Sequence, residues 1–162
     1  MDNVIKKYIN DIYNTHSTHN ATEHTYRLFL KSFLENIQSC IIAINEPKRV
    51  LCGAPDYVVQ HKGLTIGYIE AKDIGISLDE MESSEQLARY RRSLSNLILT
   101  DYLEFRWYVD GEKRASARAA YIRNGKLHQD SEGAEKVLRI LLDFLAHAPW
   151  SSPRLDRTPC PS

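Results

Sequence analysis

The chain of 162 residues is long enough for one domain with a substantial core, and we expect that domain to span residues 1–147. Its 21 Lys and Arg residues balance its 21 Asp and Glu residues, so net charge gives no reason to expect nucleic-acid binding, and any basic surface must be local. The N-terminus is polar and no apolar stretch approaches membrane-spanning length, so we expect a soluble, cytoplasmic protein without a membrane partner.

Two amphipathic helices are predicted near the N-terminus. Apolar residues recur at helical spacing over residues 3–13, and a more regular stripe predicts a helix from about Glu23 to Gln38, with Thr22 as its N-cap. Glu23 lies in the first turn of the second helix, where an acidic side chain complements the helix dipole. It could instead supply a third carboxylate to a neighbouring site, but the residues alone favour the dipole role.

Three histidines surround Glu23, namely His16, His19 and His24. No cysteine or second histidine group lies nearby in the sequence, and a polar loop of this kind is more often solvated. We therefore do not predict a zinc site.

A β-hairpin is predicted in the middle of the chain. Residues 57–59 and 64–69 are rich in the β-branched and aromatic types that suit strands, and a polar turn separates them. In such a hairpin Asp56, at the start of one strand, can lie beside Glu70, at the end of the other. Because side chains alternate along a strand, Glu70 and Lys72 project from the same face. Two carboxylates and one ammonium group are therefore expected around a common point.

This cluster suits a divalent cation. Carboxylates a few ångströms apart repel each other, and Mg²⁺ prefers hard oxygen ligands, so Asp56, Glu70 and the backbone carbonyl of Ala71 are candidate ligands, with Mn²⁺ as the expected substitute. Lys72 could orient a metal-bound water or neutralise charge in the transition state. The alternative is a Pro-Asp turn and a solvated strand edge, and spacing alone leaves both interpretations open.

A further amphipathic helix is predicted from about Ser84 to Ser93, after an acidic and polar segment. Gln86 lies at its start, near the predicted metal site. Arg89 and Arg92 lie on its exposed side and are candidate contacts to phosphates. The alternative is a solvated helix face.

The remaining pattern consists of strands and one helix. Residues 97–100 form a continuous apolar run typical of a buried strand, Asp110-Gly111 indicates a tight hairpin, and residues 120–127 repeat that pattern more weakly. Residues 134–145 predict a last helix. This order predicts an α/β sandwich, in which a small mixed β-sheet is flanked by helices. The Pro-, Ser- and Arg-rich residues 148–162 predict a disordered tail.

Several separated blocks share a pattern with one nuclease family. They lie within residues 22–145: Thr22–Arg27, Gly53–Asp56, Glu70–Asp73, Gln86–Tyr90 and Asn96–Tyr102. In this order the chain resembles the PD-(D/E)XK nuclease superfamily, whose signature reads here as Pro55-Asp56 and Glu70-Ala71-Lys72. It is most similar to the N-terminal nuclease domains of type IIG restriction enzymes, which join an endonuclease and an adenine methyltransferase in one polypeptide.

The resemblance implies a restriction-endonuclease-like fold and Mg²⁺-dependent hydrolysis of DNA phosphodiester bonds, as the nuclease module of a restriction-modification enzyme. It implies Asp56 and Glu70 as metal ligands, Lys72 as the catalytic lysine, Glu23 as an auxiliary acidic residue and Gln86 as an active-site helper.

A full-length relative would also carry methyltransferase and target-recognition domains. The sequence contains no Asn-Pro-Pro-Tyr-like motif and no Gly-rich cofactor loop, so no organic cofactor is expected. We expect an isolated nuclease module with weak or absent base-specific recognition.

A second hypothesis is a catalytically idle DNA-binding or assembly module of the same fold, which the balanced net charge favours. A third keeps the nuclease but changes its substrate to RNA or branched DNA. Cutting both strands with one active site requires two copies to meet, so a homodimer is a candidate assembly, although no interface signature is visible.

Overall fold

The computed structural model describes residues 2–147, so the tail predicted at 148–162 lies outside the described residues. The helices are α1 (Asp2–Ser17), α2 (Glu23–Ile37), α3 (Leu78–Glu82), α4 (Glu85–Ser93) and α5 (Ser131–Ala146). The strands are β1 (Ile41–Asn45), β2 (Tyr57–His61), β3 (Leu64–Ala71), β4 (Asn96–Thr100), β5 (Glu104–Val109), β6 (Glu112–Arg118), β7 (Ala120–Arg123) and β8 (Lys126–Gln129).

The main sheet is mixed and has the strand order β1-β2-β3-β4-β5-β6. β3 and β4 are parallel, and the other neighbouring strands are antiparallel. A parallel pair needs a crossover connection, which α3 and α4 supply between β3 and β4. All five residues of β4 are buried, in agreement with the continuous apolar run that predicts this strand.

Helices cover both faces of the sheet. The larger core lies under α1, α2 and α5 and includes Leu30, Phe33 and Phe144. The smaller core lies under α3 and α4 and includes Leu87 and Tyr90. Helical layers on a mixed sheet confirm the predicted α/β sandwich.

β7 and β8 form a separate two-stranded hairpin. Asn124 and Gly125 at its turn both have positive φ, 52° and 75°, which the tight turns of two-residue hairpins require. Leu127 is buried in the larger core and attaches the hairpin to the rest of the domain.

Two predicted helices are longer than their sequence patterns indicate. α1 continues to Ser17, and α5 begins at Ser131. Asp130 explains the second difference, because its side chain caps α5 by accepting a hydrogen bond from the backbone N–H of Gly133 at 2.9 Å. None of the described helices is long and apolar enough to cross a bilayer.

One helix is not predicted by the sequence pattern. α3 has five residues, and Leu78 is its buried contact with the smaller core. The Ser77 hydroxyl caps it by accepting from the backbone N–H of Glu80 at 3.4 Å. Such a short helix shows too little apolar periodicity to be recognised in an acidic segment. Thr22 does occupy the N-cap position of α2 as predicted, but its side chain makes no capping hydrogen bond.

Candidate active site

Antiparallel pairing of β2 with β3 brings Asp56 beside Glu70. Tyr57 pairs with Ile69, so the residue before β2 meets the end of β3. The backbone N–H of Asp56 donates to Glu70 Oε2 at 3.3 Å, and the backbone N–H of Ala71 donates to Asp56 Oδ2 at 2.8 Å. Each carboxylate is thus held by a backbone amide of the opposite strand.

Lys72 completes the predicted group of three. Its Nζ lies 3.0 Å from Glu70 Oε1, while its backbone N–H donates to the carbonyl of Thr100 at 2.8 Å. The second contact ties Lys72 to the end of β4, which runs parallel to β3. The ammonium group therefore lies on the carboxylate side of the strand end, as the alternation of side chains predicts.

Gln86 reaches the same cluster from α4. Its Oε1 accepts from Lys72 Nζ at 3.4 Å, and its Nε2 donates to the hydroxyl of Tyr90 at 3.2 Å. The Ser84 hydroxyl caps this end of α4 by accepting from the backbone N–H of Leu87 at 3.2 Å. The first turn of α4 consequently presents Gln86 to the strand ends.

Gly53 lets the preceding loop approach this side of the site. Its φ is +140°, and a Cβ atom there would lie 3.0 Å from both Cε1 and Oη of Tyr90. A side chain would therefore be strained by the backbone conformation and crowded by the Tyr90 ring.

The two carboxylates are held in an unfavourable electrostatic environment. Glu70 is 4% exposed. Burial, and then the Asp56 carboxylate, raise the pKa of Glu70 from 4.5 to about 7, although Lys72 acts in the opposite direction. Burial also raises the pKa of Asp56, against the hydrogen bond from Ala71 and the charges of Arg27 and Lys72. Added positive charge at this point would stabilise both anions.

Arg27 belongs to the site, although the sequence pattern did not single it out. Its Nη2 lies 3.0 Å from Asp56 Oδ1 and 2.7 Å from Glu23 Oε1, and its Nη1 donates to Asn45 Oδ1 at 3.2 Å. Glu46 lies 3.5 Å from the same guanidinium. The spacing of Glu23 and Arg27 by four residues was the available signal, since such pairs share one helix face.

Glu23 is therefore connected to the site through Arg27. The Glu23 side chain is 45% exposed, and its carboxylate pairs with that guanidinium. Across residues 2–147, no three His, Cys, Asp or Glu side chains form a group that could hold a metal ion. A cation between Asp56 and Glu70 would accordingly take its other ligands from water and from a backbone oxygen such as that of Ala71.

Arg89 and Arg92 lie on the exposed surface of α4. Arg89 Nη1 is 3.9 Å from Glu85 Oε1, one turn away on the same helix. A contact of either residue with DNA phosphate stays a prediction.

Comparison with known proteins supports the fold. No protein-family model matches the chain, and no curated protein matches it significantly. A cryo-EM structure of a DrdV–DNA complex matches 92% of the chain with a TM-score of 0.68 and 19% sequence identity. The chain spans 14% of the length of the matched protein. The described residues thus have a restriction-endonuclease-like fold.

Replacing Arg27 should destabilise the protein in metal-free buffer. Arg27→Gln leaves the Asp56 carboxylate, whose side chain is 17% exposed, without its guanidinium partner. We expect the free energy of unfolding to fall by about 2 kcal/mol, measured by denaturant titration with EDTA present. The control is Lys7→Gln, which removes an exposed pair with Asp11 at 2.7 Å and should change stability by less than about 0.5 kcal/mol. Equal effects of the two substitutions would contradict the structural role of Arg27.

Glu70 should make stability fall as pH rises. Its pKa of about 7 in the folded protein exceeds the ordinary 4.5, so between these values the unfolded chain has lost a proton that the folded protein retains. Glu70→Gln removes this titration. The free energy of unfolding of the variant minus that of the native protein should therefore be about 3 kcal/mol larger at pH 8 than at pH 4. Denaturant titrations across this range in EDTA measure the difference.

Glu82 provides a control of opposite sign. Burial disfavours its charge, but hydrogen bonds from Lys113 and Arg106 outweigh burial and lower the pKa of Glu82 to about 2. Glu82→Gln should therefore cost stability at neutral pH, and this cost should disappear as pH falls from 4.5 towards 2. A pH-independent difference between Glu70→Gln and the native protein would contradict the raised pKa of Glu70.

Proposed function

We propose that this chain is a nuclease module that hydrolyses DNA phosphodiester bonds with Mg²⁺ and leaves a 5′-phosphate. The observation that carries the proposal is the close pair of carboxylates, the half-buried Asp56 and the buried Glu70, each held by a backbone amide of the neighbouring segment, with Lys72 at 3.0 Å from Glu70. Perturbed carboxyl pKa values at one end of a sheet are typical of functional sites.

The residues present fit a divalent cation. An ionised carboxylate accepts about four hydrogen bonds, and Asp56 uses one from Arg27 and one from Ala71. Glu70 likewise accepts from Lys72 and from the backbone of Asp56. Oxygen lone pairs on both side chains therefore remain for an ion, and the charge of that ion would oppose the burial that raises the two pKa values.

Each residue has a distinct role in this proposal. Asp56, Glu70 and the carbonyl of Ala71 would hold Mg²⁺, or Mn²⁺ in its place, and the bound ion would acidify a water and polarise a phosphate oxygen. Lys72 would orient the attacking water or stabilise charge that develops on the phosphate oxygens. Gln86 holds the Lys72 ammonium group through its Oε1, at 3.4 Å. Glu23 would act through Arg27, which it fixes against Asp56.

DNA is the proposed substrate because a solved structure that shares the fold is a complex with DNA. The chain covers only a small part of that protein, so methyltransferase and target-recognition domains are proposed only for a full-length relative. We propose a cytoplasmic location, where a restriction-modification enzyme would meet DNA. A homodimer is the proposed arrangement for cutting both strands.

The proposal is tested by incubating plasmid DNA with the protein and Mg²⁺ or Mn²⁺. The native protein should cut, and Asp56→Asn, Glu70→Gln and Lys72→Met should each lower the cleavage rate by about 100-fold or more, because each removes a charge from the reacting centre. Arg139→Gln, at an exposed position of α5, is the matched control and should cut normally. Cleavage at the native rate by any two of the three site variants would contradict the assignment.

A catalytically idle DNA-binding or assembly module is the second candidate. Arg27 and Lys72 favour it, since they already place a positive charge on each carboxylate without a metal. Calorimetric titration with Mn²⁺ separates the two candidates: the nuclease should release or absorb heat and melt at a higher temperature, whereas an idle module should do neither. Parallel digestion of duplex DNA, RNA and branched DNA then identifies the substrate of an active protein.

A further inference from the structure

The β7–β8 hairpin has two chemically different faces. Residues that pair across the two strands point to the same side of the hairpin. Ile122, which is 37% exposed, pairs with Leu127, and these apolar residues share the face that carries Leu127 into the larger core. Tyr121 pairs with His128, and Arg123 pairs with Lys126, so these four side chains share the outer face.

The outer face carries cations arranged on an aromatic ring. The guanidinium of Arg118 lies 4.4 Å from the centre of the Tyr121 ring, and that of Arg123 lies 5.5 Å from it. The ring of His128 stacks on Tyr121 with centroids 5.4 Å apart and an interplanar angle of 20°. We call the surface formed by Arg118, Tyr121, Arg123, Lys126 and His128 the basic hairpin face.

Two cations of this surface, Arg123 and Lys126, have no acidic partner among residues 2–147. The sequence from Ala119 to Gln129 contains no Asp or Glu. Neither Arg123 nor Lys126 forms an ion pair with any described residue. Arg118 faces Asp130, but at 3.8 Å. By contrast, Arg106 in the main sheet is paired with Glu82, Glu104 and Asp79.

The hairpin also borders the candidate active site. Ile122 lines a cleft of about 340 Å³ together with Glu23, Asp73, His16 and His19. Glu23 is linked to Asp56 through Arg27, and Asp73 directly follows Lys72. Ile122 lies on the opposite face of this short hairpin from Arg123 and Lys126, so the basic hairpin face flanks the cleft and does not line it.

We propose that the basic hairpin face binds the phosphate backbone of duplex DNA. This inference rests on the proposed action on DNA and assigns the surface that would hold the substrate. Cations without an internal partner gain most from phosphate contacts, since binding releases the counterions of the DNA. Stacking on Tyr121 keeps the guanidinium groups extended and in place. Contacts of this kind position a duplex without reading its sequence.

The test measures binding of the full chain to a fluorescent duplex in EDTA, where the proposed metal-dependent cleavage cannot proceed. Arg123→Gln/Lys126→Gln should weaken binding by about tenfold at low salt. It should also reduce the slope of the logarithm of affinity against the logarithm of salt concentration by about 1 to 2. The matched control is Arg114→Gln/Arg139→Gln, which removes the same charge from exposed positions outside the hairpin that also lack an ion pair among the described residues. The control should bind within about twofold of the native protein at about 0.15 M salt, because its two charges lie outside the proposed contact surface and the Debye length there is about 8 Å.

A second pair of variants tests the ring. Tyr121→Phe keeps the surface on which Arg118 and Arg123 stack and should bind like the native protein, whereas Tyr121→Ala should weaken binding. Unchanged melting temperatures of all variants would show that only the surface has been altered.

The outcomes separate this inference from the proposed nuclease activity. Native binding by the hairpin double variant, or equal weakening by the control, would overturn the inference even if the protein cuts DNA. The inference also fails if the native protein binds no duplex. Binding to anionic lipid vesicles is measured in parallel, and a hairpin variant that loses affinity for the vesicles but not for the duplex would overturn the inference as well. Selective loss of duplex binding supports the basic hairpin face even if no cleavage is ever detected with Mg²⁺.

Discussion

The pairing of β2 with β3 is the constraint on which the candidate site depends. Two hydrogen bonds cross between the strands, from Ala71 to the Asp56 carboxylate and from Asp56 to the Glu70 carboxylate. Backbone amides fix both groups, so their positions do not depend on flexible side-chain contacts alone. A slip of one residue would turn Glu70 to the opposite face of the sheet and dissolve the pair. The irregularity in this pairing lies between Val59 and Gln60, towards the turn and away from the carboxylates.

Two glutamates in this protein show what balanced and unbalanced surroundings do to the same side chain. Glu82 receives hydrogen bonds from Lys113 and Arg106, and its pKa falls to about 2. Glu70 has Lys72 on one side and the Asp56 carboxylate on the other, and its pKa rises to about 7. The first arrangement is a satisfied ion cluster that stabilises the fold. In the second arrangement the Glu70 and Asp56 carboxylates repel each other, and such perturbed groups are typical of functional sites.

The parts of the site that the sequence predicts are those determined by local geometry. Strand alternation and a short turn place Asp56, Glu70 and Lys72 together, and helix periodicity places Gln86 at the start of α4. Arg27 escapes prediction because its partner Asp56 is 29 residues away, and the orientation of α2 over the sheet is a tertiary property. The four-residue spacing of Glu23 and Arg27 predicts an ion pair on one face of the helix. It does not reveal that Arg27 also contacts Asp56. The sequence does not predict α3 for another reason. This helix is stabilised by the Ser77 cap and one buried leucine, Leu78, which produce no apolar periodicity.

The net charge of zero does not describe how charge is distributed over the surface of this domain. Exposed charges act over a Debye length of about 8 Å at physiological salt, so a surface of that size responds to its own residues and not to the total of the chain. Two carboxylates, Asp56 and Glu70, meet where β2 begins and β3 ends. Arg123 and Lys126, which have no acidic partner among the described residues, lie on the β7–β8 hairpin. A polyanion brought directly to Asp56 and Glu70 would be repelled. A polyanion held by the hairpin would gain from local positive charge whatever the net charge of the chain, so a net charge of zero does not argue against the proposed action on DNA.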